Sequence, residues 1–135
     1  MVGLESKLSK GNWEVDRSSL GNAFRYAKYG RYRELEKAIQ DSEVSVDDQY
    51  GPKNNTLLCV AASHGHLRIV KLLLRNKADI NFQNSEGNSP MHLANIFNYK
   101  ELVNYLISKG ANKELKNKRG HSPLEESVDG PDEAS

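Results

Sequence analysis

Five side chains in this sequence belong to types that often do chemistry: Cys59, His64, His66, His92 and His121. Nucleophilic catalysis needs a thiol or hydroxyl beside a base that a third group orients, and a metal site needs converging ligands. His64 and His66 are two positions apart, whereas residues that share one helix face are three or four apart. No glycine-rich phosphate loop is present. The pattern therefore predicts no enzyme, no cofactor and no metal site.

The composition also limits the class of protein. One cysteine excludes an internal disulfide, and 19 basic against 18 acidic residues give a net charge of +1. The N-terminal residues lack the layout of a signal peptide, and no apolar run approaches the roughly 20 residues that span a bilayer. We expect a cytoplasmic and/or nuclear protein without a membrane partner.

The segments that would position these side chains recur with a fixed period. Thr56, Ser89 and Ser122 are spaced 33 residues apart. The same interval separates two further pairs, Ala78 from Ala111 and Gly87 from Gly120. A period of about 33 residues indicates a helix–turn–helix unit followed by a projecting turn.

Local chemistry supports this interpretation. A hydroxyl at Thr56, Ser89 and Ser122 can cap a helix, and Pro90 and Pro123 would then occupy the first helical position. The second helices carry apolar residues at helical spacing, namely Leu67, Val70, Leu73, Leu74, Leu102, Val103 and Leu106.

The ends of the second helices differ between units. Gly110 suits the left-handed residue that ends a helix. Lys77 takes that place one unit earlier, at a cost of about 1 kcal/mol if the left-handed turn is kept.

With these motifs in phase, the sequence resembles the ankyrin-repeat family. The resemblance extends over roughly residues 19–128 and is carried by 56–67 with 78–81, 87–94 with 110–112, a partial unit at 119–124 and a divergent unit that starts at 23–30. It implies an all-α ankyrin solenoid of about three repeats plus a partial C-terminal capping repeat. The predicted organisation is an extension at 1–17, units at about 19–50, 51–83, 84–116 and 117–128, and a tail at 129–135. Trp13 in the extension is expected to pack on the first unit.

The resemblance also assigns structural roles to the reactive side chains. Cys59 falls at the family's histidine position and is expected to be a small buried hydrophobe. His92 matches the family histidine that bonds backbone and hydroxyl groups, and His66 matches a residue that braces the turn between helices. His121 is expected to be solvated.

Partners of ankyrin repeats contact the turn tips and the exposed face of the first helices. By position, the first helices offer Tyr29, His64, Ile96 and Phe97, and the tips offer Tyr50, Phe82, Asn84, Glu86, Lys116, Lys118 and Arg119. Tyr29, His64 and Phe97 hold equivalent places in successive units, which predicts a row of rings that either anchors a partner or fills the groove by mutual contact. We expect a non-enzymatic monomer that binds another protein with apolar and acidic features, as an adaptor, an inhibitor or a client-specific chaperone.

Two alternatives remain at this stage. Basic residues of the first and last units could bind nucleic acid or a ribonucleoprotein. In the first unit, Tyr26, Tyr29 and Tyr32 lie among these basic residues and could stack on bases. The near-neutral net charge and the interruption by Glu34 and Glu36 argue against it. Self-association into a structural assembly is the other.

Overall fold

The computed structural model describes residues 18–125. Trp13 and the predicted tail at 129–135 lie outside this range. Within it, the chain forms six helices: α1 (Ser19–Tyr29), α2 (Tyr32–Gln40), α3 (Leu57–Ser63), α4 (Leu67–Arg75), α5 (Pro90–Ile96) and α6 (Lys100–Ser108). No strand occurs in residues 18–125, where the one extended pairing is an isolated bridge between Tyr50 and Asn55. The all-α stack of three helix pairs is confirmed.

The first helices of the second and third units begin as predicted. The Thr56 hydroxyl accepts the backbone N–H of Cys59 (3.3 Å), and the Ser89 hydroxyl accepts that of His92 (3.3 Å). Pro90 occupies the first turn of α5, where its missing N–H leaves no bond unmade. These caps satisfy backbone donors that a helix start otherwise leaves without partners.

Ser122 departs from this pattern, because a turn and not a helix follows it up to residue 125. Its backbone N–H donates to Glu125 Oε1 (2.9 Å), and this bond lowers the pKa of the exposed Glu125 carboxyl. The prediction that the Ser122 hydroxyl caps a helix with Pro123 in its first position is therefore wrong within the described residues, where only the bond from Ser122 N–H to the Glu125 carboxylate forms.

Left-handed residues make the two sharp bends of each unit. Gly30, Gly65 and Asn98 separate the first helix from the second with φ of 75°, 74° and 67°. After the second helix, Lys77 has φ of 70° at the position where Gly110 has φ of 90°. The left-handed turn is therefore kept at Lys77.

The core runs along the stack. First helices α1, α3 and α5 pack side by side, and small buried residues at their contacts, Ala27, Ala61 and Ala94, let the backbones approach closely. The second helices close the other side with fully buried leucines such as Leu73 and Leu106. Each unit therefore buries its apolar face against its neighbours.

Candidate functional site

The buried histidine His92 is a structural tie between the third and fourth units. Its Nδ1 accepts the backbone N–H of Ser89 (3.0 Å), which leaves the proton on Nε2. That nitrogen lies 2.9 Å from the carbonyl oxygen of His121 and donates to it. The structural role predicted for His92 is confirmed, whereas the His121 side chain is half-buried and not fully solvated.

His66 forms the corresponding tie between the first and second units. Its Nε2 lies 2.8 Å from the carbonyl oxygen of Lys28, and its ring lies against Gly30, where a Cβ atom would come within 3.0 Å of Cε1. His66 therefore braces the bend of the preceding unit, which extends the predicted role across the unit boundary.

The thiol of Cys59 is fully buried. Burial raises its pKa above the ordinary value, and hydrogen bonding with Thr56 opposes the shift only in part. Because the thiolate is the reactive form, this thiol is inert in the folded chain.

Ser63 and His64 form the one close hydroxyl–imidazole pair at the surface of the first helices. Ser63 Oγ lies 3.2 Å from His64 Nδ1, but the carbonyl oxygen of Val60 receives bonds from both, at 2.9 Å from Ser63 Oγ and 3.0 Å from His64 Nδ1. With both protons directed to that carbonyl, the imidazole cannot act as base toward the hydroxyl. The two side chains therefore satisfy a backbone carbonyl in the last turn of α3.

Metal sites and membrane-spanning helices are two other features to consider in residues 18–125. No group of three or more His, Cys, Asp or Glu side chains in this range is arranged to hold a metal ion. None of the helices described is both long and apolar enough to cross a bilayer.

A groove of about 740 Å³ lies between the projecting turns and the ends of the first helices. We call it the main groove. Its turn side is formed by Lys53, Asn55, Asn84, Ser85, Glu86, Asn88, Asn117, Lys118 and Arg119. Its helix side is formed by Ser63, His64, Leu93, Ile96, Phe97 and Tyr99.

A second hollow of about 400 Å³ adjoins the main groove at the first unit, and Asn55 lines both. Tyr29 and Tyr50 lie in this hollow with Phe24, Lys28 and Val60. The ring of Tyr50 packs on that of Phe24 with centroids 5.0 Å apart. The groove and the hollow together extend past all three helix pairs.

The predicted site residues divide between these two concavities. His64, Ile96, Phe97, Glu86, Lys118 and Arg119 line the main groove, and Tyr29 and Tyr50 line the second hollow. Phe82 and Lys116 line neither. Phe82 is half-buried and Lys116 is exposed.

Tyr29, His64 and Phe97 occupy equivalent positions, each directly before the left-handed residue that ends the first helix. Tyr29 is 63% exposed and Phe97 is 52% exposed. The His64 ring lies nearly parallel to that of His66, with centroids 6.3 Å apart. The equivalence predicted from the repeat is confirmed, and all three side chains are exposed to solvent.

The prediction that Asn84 lies exposed at a turn tip is wrong, since its side chain is 94% buried. Its Oδ1 accepts the backbone N–H groups of Glu86 (2.9 Å) and Asn88 (3.0 Å) within its own turn. Its Nδ2 donates to Asn55 Oδ1 (2.9 Å) in the preceding turn. These bonds hold the Asn84 amide inside the stacked turns. The amide therefore stabilises the turn and is not exposed to a binding partner.

Asn117 repeats this arrangement one unit later. Its Oδ1 accepts from the backbone of Arg119 and His121 (3.0 Å each), and its Nδ2 donates to Asn88 Oδ1 (2.9 Å). This ladder of asparagine bonds was not predicted, although Asn55 with Asn88 and Asn84 with Asn117 keep the 33-residue interval.

Backbone hydrogen bonds join the turns as well. The N–H of Ser85 donates to the carbonyl of Lys53 (2.9 Å), and the N–H of Lys118 donates to that of Glu86 (3.1 Å). Gln83 adds a side-chain bond to the carbonyl of Lys116 (3.0 Å). The turn side of the main groove is therefore one hydrogen-bonded surface.

Comparison with known proteins agrees with this architecture. A family model described as ankyrin repeats (3 copies) matches residues 24–117. Notch-regulated ankyrin repeat-containing protein A of Danio rerio is 36% identical over 85 residues, which cover 61% of this chain and 75% of that protein. The human Notch-regulated ankyrin repeat-containing protein is 35% identical over 83 residues, 59% of this chain and 72% of that protein. Protein phosphatase 1 regulatory subunit 27 of Mus musculus is 32% identical over 98 residues, 73% of this chain and 63% of that protein.

Proposed function

The chain belongs to the ankyrin-repeat family, and from that premise we propose that it is a non-enzymatic module that binds another polypeptide in the main groove and the second hollow. Ankyrin repeats are a general protein–protein interaction module. The finer proposal concerns which surface binds and which residues anchor the partner.

The exposed rings of Tyr29 and Phe97 carry the proposal. Exposed aromatic side chains in a concave surface are typical anchors of protein interfaces. Phe97 lies at the end of a helix whose other large apolar residues are buried or half-buried, so its ring contributes little to the core. A partner that covers both rings would remove apolar surface from water at roughly 25 cal/mol per Å².

The rigidity of the turns supports the same proposal. The asparagine ladder and the backbone bonds between turns fix the lining of the main groove before any partner arrives. A surface that is already ordered loses little conformational entropy on binding.

Among the matched relatives, one carries the name of a phosphatase regulatory subunit. That name fits the adaptor or inhibitor role that we propose for this chain, and the alternative role, a chaperone for one client, would act through the same proposed surface. We propose the cytoplasm or the nucleus as its location and a monomer as its free state.

Nucleic-acid binding receives less support from the structure. The ring of Tyr32 is covered by the guanidinium of Arg68 at 4.0 Å, and its hydroxyl accepts a bond from Arg75 (2.9 Å). Tyr26 is half-buried against the core. Of the three tyrosines that could stack on bases, Tyr29 alone is largely exposed.

The test compares a variant inside the two concavities with a surface variant outside them. The double variant Tyr29→Ala with Phe97→Ala removes the proposed anchors, and Leu124→Ala removes a side chain that is 50% exposed outside both concavities. Proteins captured from lysate by the unmodified chain are identified, purified and measured by direct titration against each variant.

We expect at least one purified protein to lose about tenfold or more in affinity for the double variant, because anchor residues dominate interface energies. Its affinity for Leu124→Ala should not change. Circular dichroism should show the same helicity for all three chains. Equal affinity for the double variant and the unmodified chain would refute the proposal.

A further inference from the structure

The charges that line the two concavities are not those of the whole molecule. Five basic side chains line them: Arg25 and Lys28 in the second hollow, and Lys53, Lys118 and Arg119 in the main groove. Glu86 is the one acidic residue in the lining. The whole chain carries nearly equal numbers of basic and acidic residues, so the excess of positive charge is a local property of this face.

The lone carboxylate in the lining is already paired. Glu86 lies 3.6 Å from the Lys53 ammonium, across two neighbouring turns. Lys118 lies in the next turn, where its backbone N–H donates to the carbonyl of Glu86. Its side chain makes no ion pair with any residue of 18–125. Lys28 likewise has no acidic partner in that range, and its ammonium lies 5.3 Å from the centroid of the Tyr29 ring.

This arrangement alternates charge with apolar surface. At one end of the combined surface, the Lys28 ammonium lies beside the exposed ring of Tyr29. At the other end, Lys118 and Arg119 line the same groove as the exposed ring of Phe97. A ligand with one apolar side chain on each ring would lie close to Lys28 at one end and to Lys118 and Arg119 at the other. Carboxylates at these two ends of the ligand would complement the basic side chains.

The stack also sets the distance between the two rings. Tyr29 and Phe97 hold equivalent positions on α1 and α5, with α3 between them. Packed helices lie about 8–10 Å apart, so two steps along the stack amount to roughly 16–20 Å. An extended chain advances about 3.3 Å per residue, and it would cover this length in roughly five or six residues.

We infer that the partner segment is an extended acidic peptide that carries two apolar side chains about six residues apart, since only an even spacing places both on one face of an extended chain, with carboxylates beside them. This inference rests on the proposed function and adds the chemistry of the partner. The groove cations would draw the acidic segment in, and the two rings would fix its register.

The probe is a fluorescein-labelled synthetic peptide with two tryptophans about six positions apart and aspartate or glutamate at the other positions. One comparison peptide has the same sequence with every acid changed to its amide. A second keeps the acids and places the tryptophans at adjacent positions. Fluorescence anisotropy gives the dissociation constants with the full-length chain.

The matched protein variants carry the same net charge. Lys28→Glu with Lys118→Glu reverses two lining cations, whereas Arg33→Glu with Lys113→Glu reverses two exposed cations outside both concavities. Because the second pair changes the total charge by the same amount, it separates a local effect from a general one.

We expect the acidic peptide to bind at least about tenfold more tightly than the amide peptide, since the amides lose the complementary charges. Binding should weaken about tenfold or more in the first variant, remain within about twofold in the second, and weaken as salt shortens the screening length. The peptide with adjacent tryptophans should bind less tightly than the probe.

Equal binding of the acidic and amide peptides, equal losses in both variants, or no binding of the acidic peptide at low salt would overturn the inference. Displacement of the probe by polyuridylate at lower concentrations than by unlabelled peptide would overturn it in favour of nucleic acid. If a purified partner depends on Tyr29 and Phe97 but tolerates the charge reversals, the acidic chemistry is wrong and the proposed function stands.

Discussion

Replacing Gly65 by alanine tests the contact that joins the second unit to the third. Gly65 has φ of 74°, and a Cβ atom there would lie 2.5 Å from Cε1 of the Tyr99 ring and 2.7 Å from Cδ1. Gly110 has φ of 90°, yet a Cβ atom there would meet nothing within 4 Å. The two glycines share the backbone requirement and differ in the neighbouring ring.

The magnitudes follow from this difference. A left-handed alanine costs about 1–2 kcal/mol, and this is the whole expected loss for Gly110→Ala. Gly65→Ala must also displace the Tyr99 ring, and overpacking of this kind costs roughly 1–3 kcal/mol more. We therefore expect a total loss of about 2–5 kcal/mol for Gly65→Ala.

Urea unfolding followed by circular dichroism at pH 7 measures both losses. Adding Tyr99→Ala to each variant completes the test, because removal of the ring should reduce the cost of Gly65→Ala to that of Gly110→Ala. If Gly65→Ala and Gly110→Ala lose the same free energy of unfolding, the ring does not lie against Gly65 and the reasoning is refuted.

Two further predictions concern Lys77 and Cys59. Lys77→Gly should raise the free energy of unfolding by about 0.5–1 kcal/mol, since φ of 70° strains lysine, while Lys71→Gly inside α4 should lower it by about 1 kcal/mol; a lower urea midpoint for Lys77→Gly would contradict this. Burial raises the pKa of the Cys59 thiol. In the folded chain this thiol therefore stays protonated, whereas in the unfolded chain it ionises above about pH 8.5. The stability from this shift is complete below that pH and is lost as the pH rises, so unfolding free energy should fall more steeply between pH 8 and 10 for the unmodified chain than for Cys59→Ala. In the native chain at pH 7, iodoacetamide should leave Cys59 unmodified, and rapid alkylation without unfolding would show that the thiol is accessible.

The repeat could be predicted from the sequence because its signals are local. The hydroxyls of Thr56 and Ser89 and the ring of Pro90 act within one turn of helix, and their 33-residue spacing gives the period directly. The strain at Lys77 followed from its alignment with Gly110. Such features depend on neighbours in the chain, and the structure confirms them.

The role of Asn84 could not be found in the same way. Polar residues in turns are usually exposed, and only the stacked arrangement shows that Asn55 in the preceding turn receives its amide. The carbonyl that His66 bonds and the glycine that its ring covers also belong to another unit. Contacts between units depend on how the units stack, and the sequence specifies this less directly than the units themselves. The partner-binding residues, including Tyr29 and Phe97, stay predictions.

The ladder of asparagines has a consequence for how such a chain can lengthen. The third unit donates from the amide of Asn84 to the unit before it and accepts with the amide of Asn88 from the unit after it. A tandem duplication of this 33-residue segment would therefore recreate the asparagine bond at the one new junction. The length of the groove can grow by whole segments without any compensating substitution, so binding sites for longer partners are reachable in a single genetic step.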